Sequence, residues 1–307
     1  MKNIFPLIFT VVNLLIIPLL LTGVIRKVKA LMQNRIGAPV LQPFYDVAKF
    51  LSKSETISKN TSWVFTAAPI IGLSVAFLAG ALFPWSGSFL PGKFAAASNI
   101  FLLIYLLALG KFFSMLAAMD TGSAFGGLGA SREATISMMV EPIVITGLGA
   151  LCLNAGTPNL QSAFAGNINP IIAGLTGTAL IIASLAELSR IPVDDPTTHL
   201  ELTMVHEAMI LENSGRNLAL IEYTTAIRSC IFYGLTTQVF FHMLPFTHSM
   251  NPILQYAAGI AGVLLFGCAV AFAEGILVKL KWRNVPNFLT FGTVLSLLAA
   301  LIAVTQR

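Results

Sequence analysis

The sequence contains few charged residues and few cysteines for its length. Only 10% of its 307 residues are charged, whereas 56% are hydrophobic, and the mean hydropathy is +0.83. A water-soluble globular domain does not fit this composition. The three cysteines, Cys152, Cys230 and Cys268, lie far apart in apolar stretches without a CxxC pair, so they cannot assemble an iron–sulfur or zinc site by themselves. We therefore expect no cofactor and no metal in this chain.

Several motifs of soluble enzymes are also absent. The chain has no G-x-S-x-G, Walker or H-E-x-x-H motif, which excludes the nucleophilic, nucleotide-binding and zinc-hydrolase chemistry that these motifs support. His199, His206 and Glu207 could hold a metal by spacing alone, but no motif supports such a site. The net charge of +5 would suggest nucleic acid in a soluble protein; here it more simply encodes membrane topology, and we expect no nucleic-acid partner.

Long hydrophobic runs are abundant. Because a helix needs about 20 apolar residues to span a bilayer, the runs predict an all-α polytopic membrane protein with about eight transmembrane helices. The predicted spans lie near residues 4–24, 63–83, 99–119, 134–154, 169–189, 218–244, 253–278 and 285–304. The first run is followed by basic residues and not by a cleavage site, so we interpret it as a retained helix. We expect a single transmembrane domain over residues 1–307, with cytoplasmic loops near 25–62, 120–132 and 190–217.

Charge is distributed unevenly between the two sides of this predicted topology. If residues 25–62 are cytoplasmic, thirteen of the eighteen Lys and Arg residues lie on that side. The excess of positive charge predicts a multi-pass protein of the cytoplasmic (inner) membrane, embedded in the lipid bilayer, with both termini outside. All thirteen acidic residues fall in the inner connections or within spans, so polar chemistry is concentrated toward the inner side.

The segment 40–60 is too polar to cross the membrane. Val40, Phe44, Val47 and Leu51 follow helical spacing, with Asp46, Lys49 and Lys53 expected to face away from them. This pattern predicts an amphipathic helix on the inner membrane surface. An ordinary packed connector agrees with the pattern equally well.

Ionisable residues within the predicted spans are the candidates for function, because each is costly in hydrocarbon unless it has an internal partner. These residues are Lys111, Glu133, Glu141, Glu187, Glu222, Arg228 and Glu274. Glu133 and Glu141 are eight residues apart with Ser137 between them, so a helix places the three on nearly one face over about 12 Å, which suits a proton relay. Alternatively, Glu133 only occupies the first helical turn after an N-cap at Ser131.

The spacing of these groups also predicts their partners. Lys111 lies too deep to reach the interface easily, so we expect a buried carboxylate partner and favour Glu141. Glu222 and Arg228 are six residues apart and should not pair with each other. Glu274 precedes Lys279 and Lys281 near the inner end of its helix and is expected to form no more than a boundary ion pair there.

The densest group of titratable residues lies between residues 187 and 212. It contains six carboxylates and two histidines: Glu187, Asp194, Asp195, Glu201, Glu207, Glu212, His199 and His206. Carboxylates crowded beside a low-dielectric region raise one another's pKa, and histidine titrates near neutral pH, so protons could be exchanged here. The alternative is a solvated loop, although two prolines and interleaved apolar residues favour a partly buried segment.

Three ordered segments carry a family resemblance that covers nearly the whole chain. The first is QNRIGAPVLQP at residues 33–43, followed by Asp46, Lys49 and Glu55; the second runs from DTGSAF at 120–125 to GASRE at 129–133; the third, 187–201, has Arg190, Pro192 and Asp194 in an R-x-P-x-D pattern. Together they resemble the NADH-quinone oxidoreductase chain 1 family. That family includes the complex I subunit bordering the quinone chamber and its counterparts in group 4 nickel–iron hydrogenases and formate hydrogenlyases.

Departures from the complex I pattern favour the hydrogenase branch. Thr197 and His199 stand where complex I continues with glutamates, and only Glu201 is kept; the first loop is also shorter. The second segment is similar to the hydrogenase branch in particular. The leading hypothesis is therefore a membrane subunit of a hydrogenase or formate hydrogenlyase-type complex. The alternatives are a complex I-type quinone-chamber subunit and a stand-alone transporter, for which the sequence shows no inverted repeat.

The resemblance implies roles for particular residues and partners. The chain would be a non-catalytic membrane anchor that docks a soluble redox arm and couples electron transfer to proton or sodium movement through antiporter-like membrane subunits. Iron–sulfur clusters, and nickel–iron where it is retained, would belong to hydrogenase-like small and large subunits. Matching positions for a proton relay are Glu133, Glu141, Glu187, Asp194 and Glu201, to which Lys111 is added as a buried partner. Docking of the redox arm would involve Arg35, Asp46, Arg132 and Arg190.

Overall fold

The computed structural model describes residues 10, 12–85, 98–166, 168–195, 204–243 and 251–306, and these residues form a helical bundle. Its helices, numbered in chain order, are α1 (Ile17–Met32), α2 (Gln42–Leu51), α3 (Trp63–Leu82), α4 (Ile100–Asp120), α5 (Ala124–Ala155), α6 (Leu160–Ala165), α7 (Pro170–Glu187), α8 (His206–Ile210), α9 (Gly215–His242), α10 (Pro252–Ile276) and α11 (Val285–Thr305). A 3₁₀ turn, Trp282–Asn284, precedes α11. The predicted all-α class is confirmed.

Six helical segments in the described part are long and apolar enough to cross a membrane: Trp63–Leu82, Ile100–Asp120, Ala124–Ala155, Pro170–Glu187, Ile253–Ile276 and Trp282–Thr305. The other two predicted spans correspond to α1 and to the 28-residue α9, which is long enough but carries Arg216, Glu222 and Arg228 among many Thr and Ser residues. The expected number of about eight is thus an approximation.

The boundaries of two helices differ from the predicted ones. Helix α1 continues to Met32, so Arg26, Lys27 and Lys29 lie on a helix and not in the expected loop. Helix α5 begins at Ala124, ten residues before the predicted start, because the side chain of Ser123 accepts a hydrogen bond from the backbone of Gly126 as the N-cap. Most of the expected 120–132 loop is therefore helical, and the interpretation of Ser131 as the cap near Glu133 was wrong.

Successive long helices run in opposite directions, which gives the bundle two distinct ends. At one end, the backbone N–H of Ser62 donates to the carboxylate of Asp120, and the backbone N–H of Leu280 donates to the carbonyl of Pro192. Most of the described charged residues lie at or near this end, which we call the charged end. At the opposite end, Asn99 bridges to Asn159, and Asn169 donates to Gln306 at 2.8 Å. The central helix α7 contacts α5, α9 and α11 and places its last residue, Glu187, inside the bundle.

The amphipathic helix predicted in segment 40–60 is present as α2. It packs against α1 and α9, and Asp46 points toward them: Arg26 Nη1 lies 3.1 Å from Asp46 Oδ2. The expectation that Asp46 faces away was therefore wrong, since Arg26 on α1 pairs with it. Lys49 and Lys53 are exposed, as predicted.

Candidate functional site

Lys111 lies inside the bundle between two carboxylates that other helices provide. Its Nζ is 2.8 Å from Glu133 Oε1 on α5 and 2.7 Å from Glu187 Oε2 on α7, and all three side chains are buried. Lys111 is nine residues from the end of α4, and Glu133 is nine residues from the start of α5. Because the two helices are antiparallel neighbours, both groups lie at the same depth, about 13 Å from the charged end at 1.5 Å per residue.

Arg228 on α9 completes a group of four that we call the buried quartet: Lys111, Glu133, Glu187 and Arg228. Arg228 Nη2 donates to Glu187 Oε1 at 2.5 Å. Two cations thus face two carboxylates, so the quartet is neutral when all four groups are charged. Glu133 Oε2 and Ser137 Oγ, one turn apart on α5, are buried and have no hydrogen-bond partner among the described residues.

A polar cavity of about 240 Å³ lies between the quartet and the charged end. Residues of α1, α8, α9 and the segment after α7 line it; its charged or titratable members are Arg26, Lys29, Arg190, Asp194, His206, Glu207 and Glu222. A smaller pocket of about 40 Å³ shares His206, Ile221 and Thr225 with this cavity and is also lined by Arg228. The two spaces therefore share part of their lining, and the smaller one borders the quartet at Arg228.

A second set of ion pairs closes one wall of the polar cavity. Asp194 is 1% exposed; its Oδ1 accepts from Lys279 Nζ at 2.6 Å and its Oδ2 from the backbone of Val205 at 3.0 Å. Glu274 on α10 lies between two cations, with Arg190 Nη1 at 3.4 Å and Lys29 Nζ at 3.4 Å.

The charge of Arg190 in this wall is fixed. Burial disfavours the charged form of Arg190, but the electrostatic influence of Tyr233 and Glu274 outweighs burial and raises the pKa of Arg190 above its ordinary value. Its guanidinium therefore holds Glu274 and does not exchange protons.

The predicted partner of Lys111 was wrong. Glu141 faces outward from α5, is exposed, and forms no hydrogen bond or ion pair with any described residue. Eight residues along a helix amount to about 800°, so Glu141 is rotated by roughly 80° from Glu133. That rotation is enough to place Glu133 in the core and Glu141 on the outer surface, beside exposed Met138 and Ile145.

The four residues predicted to dock a redox arm differ from one another in exposure and in their contacts. Arg35 is exposed near the charged end. Arg132 donates to the carbonyl of Met204 at 3.2 Å and lies 5.5 Å from the ring of Trp282, so it joins the start of α5 to two connecting segments. Asp46 and Arg190 are engaged in the ion pairs described above. Glu201, with Thr197 and His199, lies outside the described residues.

Some functional partners were missed by sequence reasoning. Arg228 was recognised as an in-span cation, but only its pairing with Glu222 was considered; Glu222 instead lies 3.6 Å from Arg26. Glu274 does not pair with Lys279 or Lys281 as expected, because Lys29 and Arg190 lie closer. Within the described residues, no cluster of three His, Cys, Asp or Glu side chains is placed to hold a metal ion.

Comparisons with known proteins identify the family of this chain. The family model described as NADH dehydrogenase matches residues 5–305. The chain belongs to this family. Hydrogenase-4 component C of Escherichia coli is 30% identical over 305 residues, covering 96% of this chain and 94% of the relative. Formate hydrogenlyase subunit 4 of the same organism is 27% identical, covering 92% and 90%.

A relative from a second branch and a solved structure extend the comparison. NADH-ubiquinone oxidoreductase chain 1 of Mycosarcoma maydis is 25% identical over 323 residues, covering 98% of this chain and 95% of the relative. A chain of the membrane-bound sulfane sulfur reductase, an archaeal respiratory membrane complex, has the same fold, with a TM-score of 0.79 at 19% identity and 98% coverage of both chains. The protein is thus a multi-pass membrane subunit of a hydrogenase-4, formate hydrogenlyase or complex I-like complex.

Proposed function

We propose that this chain is the subunit of a hydrogenase-type complex that couples electron transfer to ion movement. It would dock a soluble iron–sulfur arm at its charged end and relay protons through buried carboxylates to neighbouring antiporter-like subunits. The observation that carries the proposal is the placement of Lys111 between Glu133 and Glu187, with Arg228 lining a small pocket that shares residues with the polar cavity.

The relay follows from the charge balance of the quartet. At rest it is neutral, which is the least costly state for four charges in a low-dielectric interior. A proton that arrives from the cavity neutralises Glu187. The ion pair between Glu187 and Lys111 is then weakened, while Arg228 stays charged. The quartet now carries an excess positive charge, so Lys111 passes a proton to Glu133, and Glu133 releases it on the side where its Oε2 and Ser137 Oγ lack partners among the described groups. The proton on Glu187 then moves to Lys111, which restores the resting charges.

Glu141 is the exit of the proposed relay. It is the eighteenth residue of the 32-residue α5, so it lies about 25 Å from the start of that helix, at membrane depth. An exposed carboxylate at this depth is costly unless a neighbouring protein covers it. A membrane subunit packed on the outer face of α5 would both cover Glu141 and receive its proton.

Docking of the redox arm is assigned to the charged end. Arg35 is the member of the predicted docking set that is free to reach a partner chain, while Arg132, Arg190 and Asp46 fix the surrounding segments through contacts within this chain. Iron–sulfur clusters, and a nickel–iron centre if the large subunit keeps its cysteine ligands, would belong to the docked subunits. Asp194 supports the cavity wall beneath them.

A specific feature also supports a second candidate function, that of a quinone-chamber subunit. A cavity of about 160 Å³ between α1, α2 and α9 shares Thr22, Arg26, Glu222 and Ala226 with the polar cavity, so the amphipathic helix borders a space next to that cavity. This candidate requires quinone-dependent turnover and inhibition by quinone-site inhibitors. The charged lining of the polar cavity favours protons and water over a lipophilic quinone, and we expect neither property.

The proposed function is tested by Glu133→Gln in the intact complex reconstituted in liposomes. The substitution keeps the side-chain volume but prevents ionisation, so we expect proton movement per electron to fall about twofold while the complex assembles normally. Glu212→Gln is the matched control, because Glu212 is exposed at the charged end. Unchanged proton movement in Glu133→Gln would contradict the relay; movement of ions by this chain alone would instead favour a stand-alone transporter.

A further inference from the structure

A row of polar residues runs along α9 beyond the polar cavity, on the side of the bundle away from Glu141. Thr225, Ser229, Tyr233 and Thr237 follow one another at intervals of four, so each lies next to the preceding one, and the row turns around the helix by about 40° per step over about 18 Å. Thr225 and Ser229 line the polar cavity. Tyr233 and Thr237 continue the row toward the opposite end, and Gln238 follows directly.

The hydrogen bonding of this row changes where the cavity ends. Thr225 and Ser229 donate to the carbonyls of Ile221 and Thr225, four residues earlier, as helical hydroxyls commonly do. Beyond them, the hydroxyl of Tyr233, Oγ1 of Thr237 and Oε1 of Gln238 are buried and have no hydrogen-bond partner among the described residues. Polar atoms buried in this way are generally satisfied by internal water.

The surroundings of these three atoms provide further polar contacts at both ends of the segment. Tyr233 is fully buried and interacts electrostatically with Arg190, which pairs with Glu274 in the cavity wall. Gln238 Nε2 donates to the carbonyl of Trp85 at 2.5 Å, which leaves its oxygen available.

Two glycines of α10 face the same row. A Cβ atom at Gly262 would lie 2.5 Å from the methyl carbon of Thr237, and one at Gly259 would lie 3.1 Å from the carbonyl oxygen of Trp85 and 3.6 Å from Gln238 Nε2. The backbone of α10, and not a bulky side chain, therefore borders the row at Thr237 and Gln238.

We propose that Tyr233, Thr237 and Gln238 border a file of buried water that continues the polar cavity along α9 toward the opposite end of the bundle. The file would conduct protons within this chain, by a route separate from the exit at Glu141. Each water and each hydroxyl accepts one proton and releases another, so no group in the file is changed after a transfer. The conducting role rests on the proposed ion-coupling function, whereas the presence of water does not.

The water is tested first, by radiolytic hydroxyl-radical labelling of the unmodified intact complex in H₂¹⁸O. Bound water next to a side chain produces rapid labelling even where bulk solvent is excluded. We expect Tyr233 to be labelled at a rate within about threefold of that of the exposed Tyr45 on α2, and Phe83 and Phe164, which are equally buried, to remain unlabelled. Protection of Tyr233 equal to that of Phe83 would overturn the proposal.

Conduction is tested with isosteric substitutions that remove only hydroxyl groups. In the intact complex in liposomes, Tyr233→Phe combined with Thr237→Val should lower the number of protons moved per electron by about a third. Thr236→Val is the matched control: Thr236 is adjacent and fully buried, but its hydroxyl donates to the carbonyl of Phe232. Equal proton yields in the double variant and the control would overturn conduction through the file.

The two tests separate this proposal from the proposed function. If Glu133→Gln lowers proton movement and the double variant does not, the relay stands and the file is wrong. If Glu133→Gln has no effect, the ion-coupling function itself fails. Should the double variant not assemble, the labelling of Tyr233 in the unmodified complex still decides whether the file holds water.

Discussion

At the residue scale, the buried quartet combines high desolvation cost with complete charge compensation. Removing a carboxylate or an ammonium group from water costs several kcal/mol even after relaxation, so such groups persist only when well paired. Lys111 meets this condition with two carboxylates within 2.8 Å, and Glu187 meets it with Lys111 and Arg228. The quartet is therefore sensitive to any change that leaves one charge without its counterpart.

Lys111→Met should destabilise the protein by about 3–5 kcal/mol, because Glu133 and Glu187 would then face Arg228 alone. Adding Glu133→Gln to this variant restores neutrality, so the double variant should be more stable than Lys111→Met. Thermal unfolding of the purified complex, analysed as a double-mutant cycle, would measure this coupling. Independent, additive losses would show that the two side chains do not act as a pair.

The sequence identified all four members of the quartet as candidates but not their pairing. In-span charge was enough to select Lys111, Glu133, Glu187 and Arg228, since such residues are rare in apolar runs. It could not select Glu133 over Glu141 as the partner of Lys111, because the choice depends on which face of α5 meets α4. That orientation is set by packing among α4, α5 and α7, which spacing within one helix does not contain.

At the element scale, the connection between α1 and α2 packs closely against the helix that precedes it. A Cβ atom at Gly23 would overlap the carbonyl oxygen of Val40, so only glycine permits this approach. The amphipathic helix α2 follows directly and carries Asp46, which pairs with Arg26 on α1. The position of α2 beside the cavities thus depends on a glycine within a span.

Gly23→Ala should destabilise the protein by about 1–3 kcal/mol, since the backbone at Val40 must move to admit a methyl group. The matched control is Gly174→Ala on α7, where a Cβ atom meets nothing within 4 Å and helix propensity should make the change neutral or slightly stabilising. Midpoints of thermal unfolding of the two variants would be compared. Equal midpoints would show that the backbone at Val40 can move without loss of stability.

Helix boundaries illustrate which element-level features a sequence reveals. Spans with clear caps, such as α4 after Asn99 and α7 after Asn169, begin within a residue of the predicted position, because the side chain of each cap accepts from the helix backbone. Helix α5 was placed too late, since its first ten residues are Gly-rich and include Arg132 and Glu133. They form a helix because they pack against α4 and α8, a tertiary effect.

At the scale of the whole molecule, the charged end and the opposite end differ enough to specify orientation. The described basic residues lie mainly at the charged end, where α2, α8 and the cavities are located, whereas the opposite end is joined by uncharged contacts such as Asn169 with Gln306. Positive charge is retained on the cytoplasmic side during insertion, so we propose that the charged end faces the cytoplasm and residue 306 the outside.

This orientation predicts the labelling of two engineered cysteines by a membrane-impermeant maleimide. Glu55→Cys and Gln306→Cys, each in a chain whose Cys152, Cys230 and Cys268 are replaced by alanine, place thiols at opposite ends of the bundle. In intact spheroplasts, Gln306→Cys should react, and Glu55→Cys should react only after the membrane is permeabilised. Reaction of Glu55→Cys alone in intact spheroplasts would reverse the topology. The cavity and the proposed docking face would then open on the side opposite the cytoplasm, and a cytoplasmic redox arm could not bind there.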